Sequence, residues 1–178
     1  DQPLGSEFTA PVAAGASNVI LATTLPAPRL WSPEFPHCYK LTIQLRDGAN
    51  LIHSRTETIG FRTITFTNSV GFFLNGKKIM LRGVNRHDFW PDSGRTTSRA
   101  LSIADIELMK SMNLNAVRMS HYPPAKHFLE ECDRLGLLVI NELAGWQEPA
   151  YDNIIAPQLV RELVVRDVNH PCIFAWAN

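Results

Sequence analysis

The order of apolar and polar residues divides the chain into two regions with different periodicity. From Val19 to about Phe66 the pattern is that of β-strands, and in residues 39–45, "YKLTIQL", every second side chain is apolar. A turn with Asp47-Gly48 leads into a second run, 51–61, that is rich in β-branched residues. Only three or four strands are evident, whereas a β-sandwich needs about seven. The pattern therefore predicts part of an antiparallel β-sandwich.

From about Asn68 onward, strands alternate with helices. A hairpin is predicted around Asn75-Gly76, a residue pair that a type I′ turn favours, with a return strand that runs on to Val84. The first helix is predicted to begin at Ser102, with Asp105 as its capping-box partner. The later strands and helices are predicted in "NAVRMS", "AKHFLEECDRLG", "LLVINEL", "PQLVRELVVRDVN" and "IFAWAN".

This β-α-β-α-β-α-β order, with apolar runs in its strands, predicts a parallel sheet covered on both faces. Such a unit is either an open doubly wound sheet or part of a closed eight-stranded barrel, and the Gly-rich phosphate loop of the nucleotide-binding version is absent. In a barrel, catalytic and binding groups lie at the carboxyl ends of the strands. The residues predicted at those ends are Arg86, His87, Asp88, Ser120, His121, Tyr122, Asn141 and Glu142.

Several of these positions also have a structural interpretation, which the sequence leaves open. His87 and Asp88 could be a loop pair that caps the following segment, and His121 could be a turn histidine before two prolines. Glu142 could be a functional carboxylate or the structural partner of an arginine. Taken together, polar groups at one rim of an α/β barrel favour an enzyme.

Arg118 alternates with Val117 and Met119 and is therefore predicted to face the interior of the barrel or crevice. A buried guanidinium needs an anion, so Arg118 implies a carboxylate facing it, inside or outside this chain. Trp90 and Trp146 lie in loops at the same rim and offer flat faces of the kind on which sugars stack. Loop tryptophans also serve as packing residues, and this alternative stays open.

Composition narrows the classes of function. Of the 178 residues, 45% are apolar and 19% charged, as in ordinary globular domains. Seventeen basic and seventeen acidic residues cancel, so neither a nucleic-acid partner nor an anionic membrane surface is indicated. No apolar stretch approaches the length of a membrane span. No cofactor is expected. The three cysteines match no metal spacing and are expected to be small core residues.

Four motifs occur in a recognisable order, "NGKKIMLRGVNRHD", "MKSMNLNAVRMSHYP", "CDRLGLLVINE" and "VVRDVNHPCIFAW". In order and spacing they resemble glycoside hydrolase family 2, which includes β-galactosidases, β-glucuronidases and β-mannosidases. Upstream, "RLWSPEFPHCYKLTIQLRDG" and "IGFRTI" resemble the end of the immunoglobulin-like sandwich that precedes the barrel in that family. The resemblance covers residues 30–178, and "RGVNRHD" and "AVRMSHYP" look closest to the β-galactosidase branch.

The resemblance implies an architecture of two parts. Residues 1–66 are expected to form part of an immunoglobulin-like β-sandwich, and residues 67–178 the first four strands of an eight-stranded β/α barrel. In the family, the strand "NHPCIFAW" continues into a Gly-Asn-Glu motif whose Glu is the general acid/base, and the nucleophilic Glu follows several strands later. This chain stops before both. The exposed edges of a half barrel, near Met80 and Phe174, are expected to pair with another copy.

The expected function is that of a fragment of a retaining exo-β-glycosidase, β-galactosidase-like, whose parent hydrolyses terminal β-linked sugars of oligo- or polysaccharides. Because both catalytic glutamates are missing, the chain alone is expected to be inactive. The alternative is a non-catalytic carbohydrate-binding or interaction module. The sequence does not indicate the compartment in which the protein works.

Individual roles are implied by the same resemblance. His87 and His121 resemble the histidines that line the sugar subsite, and Arg118 resembles the arginine that orients the nucleophilic carboxylate. Asp88 stands where the family has an acidic residue, usually Glu. Glu142 matches the acidic residue that ends the third strand, with Asn141 where Asp is frequent.

Tyr122 and Trp146 complete the set of expected substrate-binding residues. Metal-binding β-galactosidases carry a Glu-x-His pattern after the third strand. The corresponding stretch here is "LAGWQEPAY", with Trp146 and Glu148 where ligands would be expected. No magnesium site of the family type is therefore predicted.

Overall fold

The first regular element is an antiparallel hairpin. The computed structural model describes residues 3–145 and 151–177, and here β1 (Tyr39–Asp47) pairs with β2 (Asn50–Ile59). Gly48 supplies the positive φ of 56° that the turn requires. The two predicted strands are confirmed, but most of their side chains are exposed on both faces. In the described part of the segment before residue 39 there is no strand.

A second, three-stranded sheet consists of β3 (Ile64–Thr67), β4 (Gly71–Leu74) and β5 (Lys77–Lys78). Both turn residues between β4 and β5 have positive φ, 52° at Asn75 and 76° at Gly76, as a type I′ turn requires. The predicted turn is confirmed. β3 spans the boundary expected between residues 66 and 67, and that boundary stays a prediction.

The return strand ends at Lys78, so the prediction that it runs on to Val84 is wrong. The side chain of Asn115 explains the break, because it binds the backbone on both sides of Leu81. Its Oδ1 accepts from the Arg82 N–H at 2.8 Å, and its Nδ2 donates to the Met80 carbonyl at 3.0 Å. The chain therefore leaves the hairpin and enters a different sheet.

That sheet has four parallel strands in the order of the chain, which is the order of a β/α barrel and not of a doubly wound sheet. The strands are β6 (Gly83–Arg86), β7 (Ala116–Met119), β8 (Leu138–Glu142) and β9 (Ile173–Ala177). The helices that connect them are α1 (Arg99–Ser111), α2 (Lys126–Leu135) and α3 (Ile155–Asp167).

Helix α1 begins one turn earlier than predicted. Its N-cap is Ser98, which has an extended backbone and accepts a hydrogen bond from the Leu101 N–H at 3.2 Å. Ser102, the predicted start, is buried within the helix and lies 3.0 Å from His127 Nδ1. Asp105 turns away from the backbone toward an arginine of β6. The capping-box prediction is therefore wrong.

Helix α2 matches its prediction, including a left-handed C-cap at Gly136 with a φ of 78°. Its apolar face packs into one core with α1 and the parallel strands. Cys132 and Cys172 belong to that core and Cys38 packs at its margin, in line with the role expected for the cysteines. The core residues that are fully buried include Trp31, Ile106, Met119, Phe128, Leu129, Leu137, Leu138 and Val139.

Residues on both sides of the first hairpin are attached to the region of the parallel sheet. The indole of Trp31 is completely buried, and its Nε1–H donates to the Asp133 carbonyl at 2.8 Å. The guanidinium of Arg62 donates to the carbonyls of Pro171 and Ile173, at the start of β9. Upstream residues therefore complete both the packing and the backbone hydrogen bonds of the downstream region.

The helix termini contribute a second attachment. The Lys110 amine at the end of α1 donates to the carbonyls of Pro33 at 3.1 Å and Gly136 at 2.9 Å. Burial lowers the pKa of Lys110, and the negative charge of Glu34 opposes this shift. Gly136 has no Cβ, and one added there would collide with the Pro33 carbonyl. The close approach of these two segments depends on that glycine.

Asp133, His170 and Cys172 form a buried polar group below the sheet. The Asp133 carboxylate accepts from His170 Nδ1 at 2.5 Å and from the Cys172 backbone N–H at 2.9 Å. The three side chains are close enough to surround a metal ion. However, burial first and the charge of Asp133 second raise the pKa of the Cys172 thiol well above its ordinary value. Because the Asp133 carboxylate already accepts from His170 and from the Cys172 backbone N–H, we interpret this group as structural.

His170 should make the stability of the chain depend on pH. Burial alone lowers its pKa, but the hydrogen bond to Asp133 and its charge outweigh burial, and the net pKa lies above the ordinary value. The charged form should therefore stabilise the fold fully below about pH 6.5. This contribution is lost as pH rises through the folded-state pKa, so the free energy of unfolding should fall there.

Urea unfolding on both sides of neutral pH measures this effect. His170→Asn keeps a donor for Asp133 but does not titrate, so its free energy of unfolding should depend less steeply on pH in that window. His53→Asn, at an exposed position of the hairpin, is the matched control and should keep the slope of the parent chain. Equal slopes for His170→Asn and the parent would contradict the assignment.

Candidate sugar-binding site

The candidate site lies where β6, β7 and β8 end. Parallel strands place their carboxyl ends at the same edge of a sheet, and the residue pairs Arg86–Met119 and Arg118–Ile140 lie side by side. Glu142 follows Ile140 by two residues, so its side chain lies on the same face of the sheet as that of Arg118. The pleat of the sheet therefore accounts for their meeting.

Glu142 is the centre of the site. Its side chain has no exposed surface, and its carboxylate accepts from Arg118 Nε at 2.6 Å and from Arg118 Nη2 at 3.0 Å. His121 Nδ1 lies 2.7 Å from the same carboxylate. The partner that Arg118 required is therefore present in this chain. This pairing is the structural interpretation that the sequence left open for Glu142, and its expected role in substrate binding stays a prediction.

Arg118 and His121 both bind the buried Glu142 carboxylate, and both are also partly exposed at the surface. The Arg118 side chain is 38% exposed and that of His121 is 27% exposed, so each can contact a bound molecule beside Glu142. Arg118 Nη2 also lies 3.4 Å from His121 Nδ1. The loop that carries His121 begins with a cis peptide bond between Ser120 and His121. The site thus offers a guanidinium and an imidazole held by one carboxylate.

His87 extends the site toward the end of β6. Its side chain is exposed, and its ring meets the His121 ring edge to face, with centroids 5.5 Å apart and planes at 76°. The centroid of the Tyr122 ring lies 6.0 Å from that of His87. Arg95 covers the Tyr122 ring with its guanidinium 4.7 Å from the centroid. Three predicted residues therefore form one continuous surface, to which the structure adds Arg95.

Asp88 lies next to His87 but faces the interior. It is 5% exposed, and its carboxylate binds the Arg86 guanidinium and, at 3.0 Å, the backbone N–H of Ala125. The sequence left open that Asp88 caps the segment that follows it, whereas its carboxylate binds Ala125 at the start of α2, the helix after β7. Its expected role as a sugar contact stays a prediction.

The remaining predicted positions differ in what the structure says of them. Trp146 and Glu148 lie outside the described residues. Trp90 is 40% exposed and forms a β-bridge with Gly94 in the loop after β6. Its indole is therefore accessible at this rim, and its expected role in sugar stacking stays a prediction.

Two features escaped the sequence analysis. Arg95 has no motif around it, and only the fold brings it to Tyr122. Asn141 faces away from the site and donates to the fully buried Asp167 at 2.7 Å, and Arg166 binds the same carboxylate. Asp167 thereby ties the end of α3 to β8. The alternation of Asn141 with Glu142 could have indicated that they face opposite sides.

The sequence model of the family "Glycosyl hydrolases family 2, TIM barrel domain" matches residues 65–178. The chain belongs to glycosyl hydrolase family 2. A second model of this family, "Glycosyl hydrolases family 2", matches residues 5–62. The family resemblance of the motifs is confirmed, and the four sequential parallel strands belong to a TIM barrel domain.

Among curated family 2 relatives is a β-galactosidase of Thermoanaerobacter pseudethanolicus, 38% identical over 152 residues, which cover 84% of this chain and 20% of that protein. Another is a β-galactosidase of Thermoanaerobacterium thermosulfurigenes, 40% identical over 83% of this chain and 21% of that protein. The chain thus spans about a fifth of the length of these relatives.

Solved structures of the family superpose on most of the chain. A β-glycosidase from Bacteroides vulgatus is 33% identical, with a TM-score of 0.80 over 86% of this chain and 21% of that one. A β-glucuronidase from Bifidobacterium dentium is 29% identical, with a TM-score of 0.78 over 85% of this chain and 26% of that one. Among the described residues, none of the helices is long and apolar enough to cross a membrane.

Substitutions at the central ion pair should differ in cost. Arg118→Met leaves the buried Glu142 carboxylate with His121 as its one remaining hydrogen-bond partner among the described residues, and should lower the free energy of unfolding by about 3 kcal/mol. Glu142→Gln leaves Arg118, which can reach water, and should cost about 1–2 kcal/mol. Urea unfolding at neutral pH measures both. The opposite order would show that Glu142 is not the group that needs compensation.

Proposed function

We propose that this chain carries the sugar-positioning part of a β-glycosidase site. The observation that supports this most directly is the group of Glu142, Arg118 and His121, joined by His87, at the ends of three consecutive barrel strands. Imidazole and guanidinium groups at such a rim can donate hydrogen bonds to sugar hydroxyls, and Arg118 can orient an acidic group of the reaction. Tyr122 and Trp146 complete the proposed sugar surface.

The proposed parent is a retaining exo-β-glycosidase that acts on terminal β-linked sugars of oligo- or polysaccharides. A β-galactoside is the proposed substrate class, because curated relatives at 38% and 40% identity are named β-galactosidases. The β-glucuronidases among the solved structures make a glucuronide the natural comparison. The barrel part is proposed to be the first four strands of eight, and residues 1–66 part of an immunoglobulin-like sandwich.

The 178 residues are proposed to be inactive by themselves. A retaining mechanism needs two carboxyl groups about 5–5.5 Å apart, one as nucleophile and one as acid/base. The family resemblance assigns both to motifs that these residues do not contain, and the Glu142 carboxylate is occupied by Arg118 and His121. The chain can therefore position a sugar but cannot form the covalent intermediate.

Titration with sugars tests this proposal. The NMR signals of the His87 and His121 rings should shift on addition of methyl β-galactoside, and less with methyl β-glucuronide. The signal of His170 should not move, because that ring lies below the sheet. His87→Ala should weaken the affinity about fivefold, which corresponds to one lost hydrogen bond of about 1 kcal/mol, whereas His53→Ala should leave it unchanged.

An assay with an aryl β-galactoside completes the experiment, and no turnover is expected from the purified chain. Turnover would contradict the proposed inactivity, and the absence of ring shifts with either sugar would contradict the proposed sugar surface. Binding without hydrolysis by a longer protein that contains a Gly-Asn-Glu motif would favour the alternative of a non-catalytic carbohydrate-binding module.

A second copy of the chain is proposed to cover the open edges of the parallel sheet. β6 and β9 are the outer strands, and near them Met80, Val84 and Trp176 are 71%, 41% and 41% exposed. Phe174 is buried against Phe72, with ring centroids 5.2 Å apart, so pairing there would involve the strand backbone.

Light scattering over a concentration series should therefore show a dimer or a larger assembly. Val84→Lys places a charge on the edge strand and should shift the equilibrium toward the monomer. Val165→Lys, at a 73% exposed position of α3, is the matched control and should have no such effect. A monomer at every concentration would contradict this proposal.

A further inference from the structure

Asp88 contacts both of the loops that carry the site histidines, the loop after β6 with His87 and the loop after β7 with His121. Its Oδ1 accepts from the Arg86 guanidinium at the end of β6 and from the Thr97 hydroxyl at 3.5 Å. Its Oδ2 accepts from the Ala125 N–H at 3.0 Å, and its backbone carbonyl accepts from the Tyr122 hydroxyl at 3.3 Å. The loop after β6 and the loop after β7 are therefore joined through one residue.

These contacts use the carboxylate entirely within the protein. A sugar ligand has to present an oxygen at the surface, whereas the side chain of Asp88 is 7% exposed and both of its oxygens accept from protein donors. The adjacent His87, in contrast, is exposed. The side chain of His87 is thus exposed at the site, whereas that of Asp88 is buried among the protein groups behind it.

Helix α2 gives an independent reason for a carboxylate at this place. Its N-cap is Ala125, whose side chain cannot accept a hydrogen bond, and no side-chain cap is present on the helix itself. Asp88 supplies the missing acceptor from a distant segment. Its negative charge also lies at the positive end of the helix dipole. The start of α2, and with it the loop that carries His121, is therefore attached to the end of β6.

We propose that Asp88 is a positioning residue that holds the His87 and His121 rings in their edge-to-face arrangement, and that it is not itself a sugar ligand. This inference rests on the proposed function of those two histidines. Asp88 follows His87 directly and binds Tyr122 and Ala125, which follow His121. It thereby sets the separation of the two rings at 5.5 Å.

The arrangement of the rings can be measured without sugar, by the nuclear Overhauser contact between the ring protons of His87 and His121 in the 178-residue chain. Asp88→Asn presents an amide to two donors that both require an acceptor, so this contact should be lost and both ring signals should shift. Asp105→Asn is the matched control. It also removes a carboxylate from Arg86, 2.8 Å away, but Asp105 lies on α1 and its carboxylate binds Arg86, so the ring contact should remain.

Ala125→Pro tests the same link without changing Asp88. The backbone of Ala125 has a φ of −57°, which proline can adopt, but proline has no N–H and its ring would occupy the place of the donated hydrogen. The ring contact should again be lost, while the signal of His170 reports that the fold is intact. Should Asp88→Asn abolish the His170 signal through unfolding, Ala125→Pro decides alone.

Retention of the ring contact in Ala125→Pro, or in a folded Asp88→Asn, would overturn the proposal, as would its loss in Asp105→Asn. Titration with methyl β-galactoside separates this result from the proposed function. If the parent chain shows the ring contact but no shift with sugar, the sugar surface fails while the positioning role stands. If Asp88→Asn keeps the ring contact and loses sugar binding, Asp88 is a sugar ligand and the positioning role fails.

Discussion

Glu142 brings a negative charge into the protein interior at the end of β8, where an uncompensated carboxylate would be unfavourable by on the order of several kcal/mol. Two donors compensate it, the guanidinium of Arg118 from the neighbouring strand and the ring of His121 from the loop that follows. This requirement fixes the orientation of both donors. The exposed parts of Arg118 and His121 therefore present polar groups whose positions are set by Glu142 and not by a bound ligand.

The two ends of the parallel sheet have different tasks. At the carboxyl ends of the strands, the side chains of Arg118 and His121 are partly exposed and can contact a bound molecule. At the opposite end, Asp133 is enclosed: its backbone carbonyl accepts from Trp31, and its carboxylate accepts from His170 and from the Cys172 N–H. This division is the one known from β/α barrels, in which one face performs chemistry and the other contributes stability. It supports a functional role for the first group and a structural one for the second.

Local periodicity predicted most of the elements, because apolar alternation and residues such as Gly76 and Gly136 act within a few positions. The errors came from contacts between distant residues. Asn115 ends the return strand at Lys78, and the Ser98 cap moves the start of α1. From the sequence one can infer that Arg118 needs a carboxylate. Only the register of β7 and β8 shows that Glu142 is near enough to be that partner. Arg95 had no local signal at all.

The contacts of Arg62 join the upstream segment to the barrel strands, and they therefore bear on whether the two parts unfold together. Arg62 lies just before β3, yet its guanidinium holds the carbonyls of Pro171 and Ile173, more than a hundred positions later. A cut between the two family segments would leave these carbonyls at the start of β9 without their donor and would uncover the pocket of Trp31. The boundary visible in the sequence is therefore not an energetic boundary, and the upstream segment and the barrel strands should lose their structure in one cooperative transition.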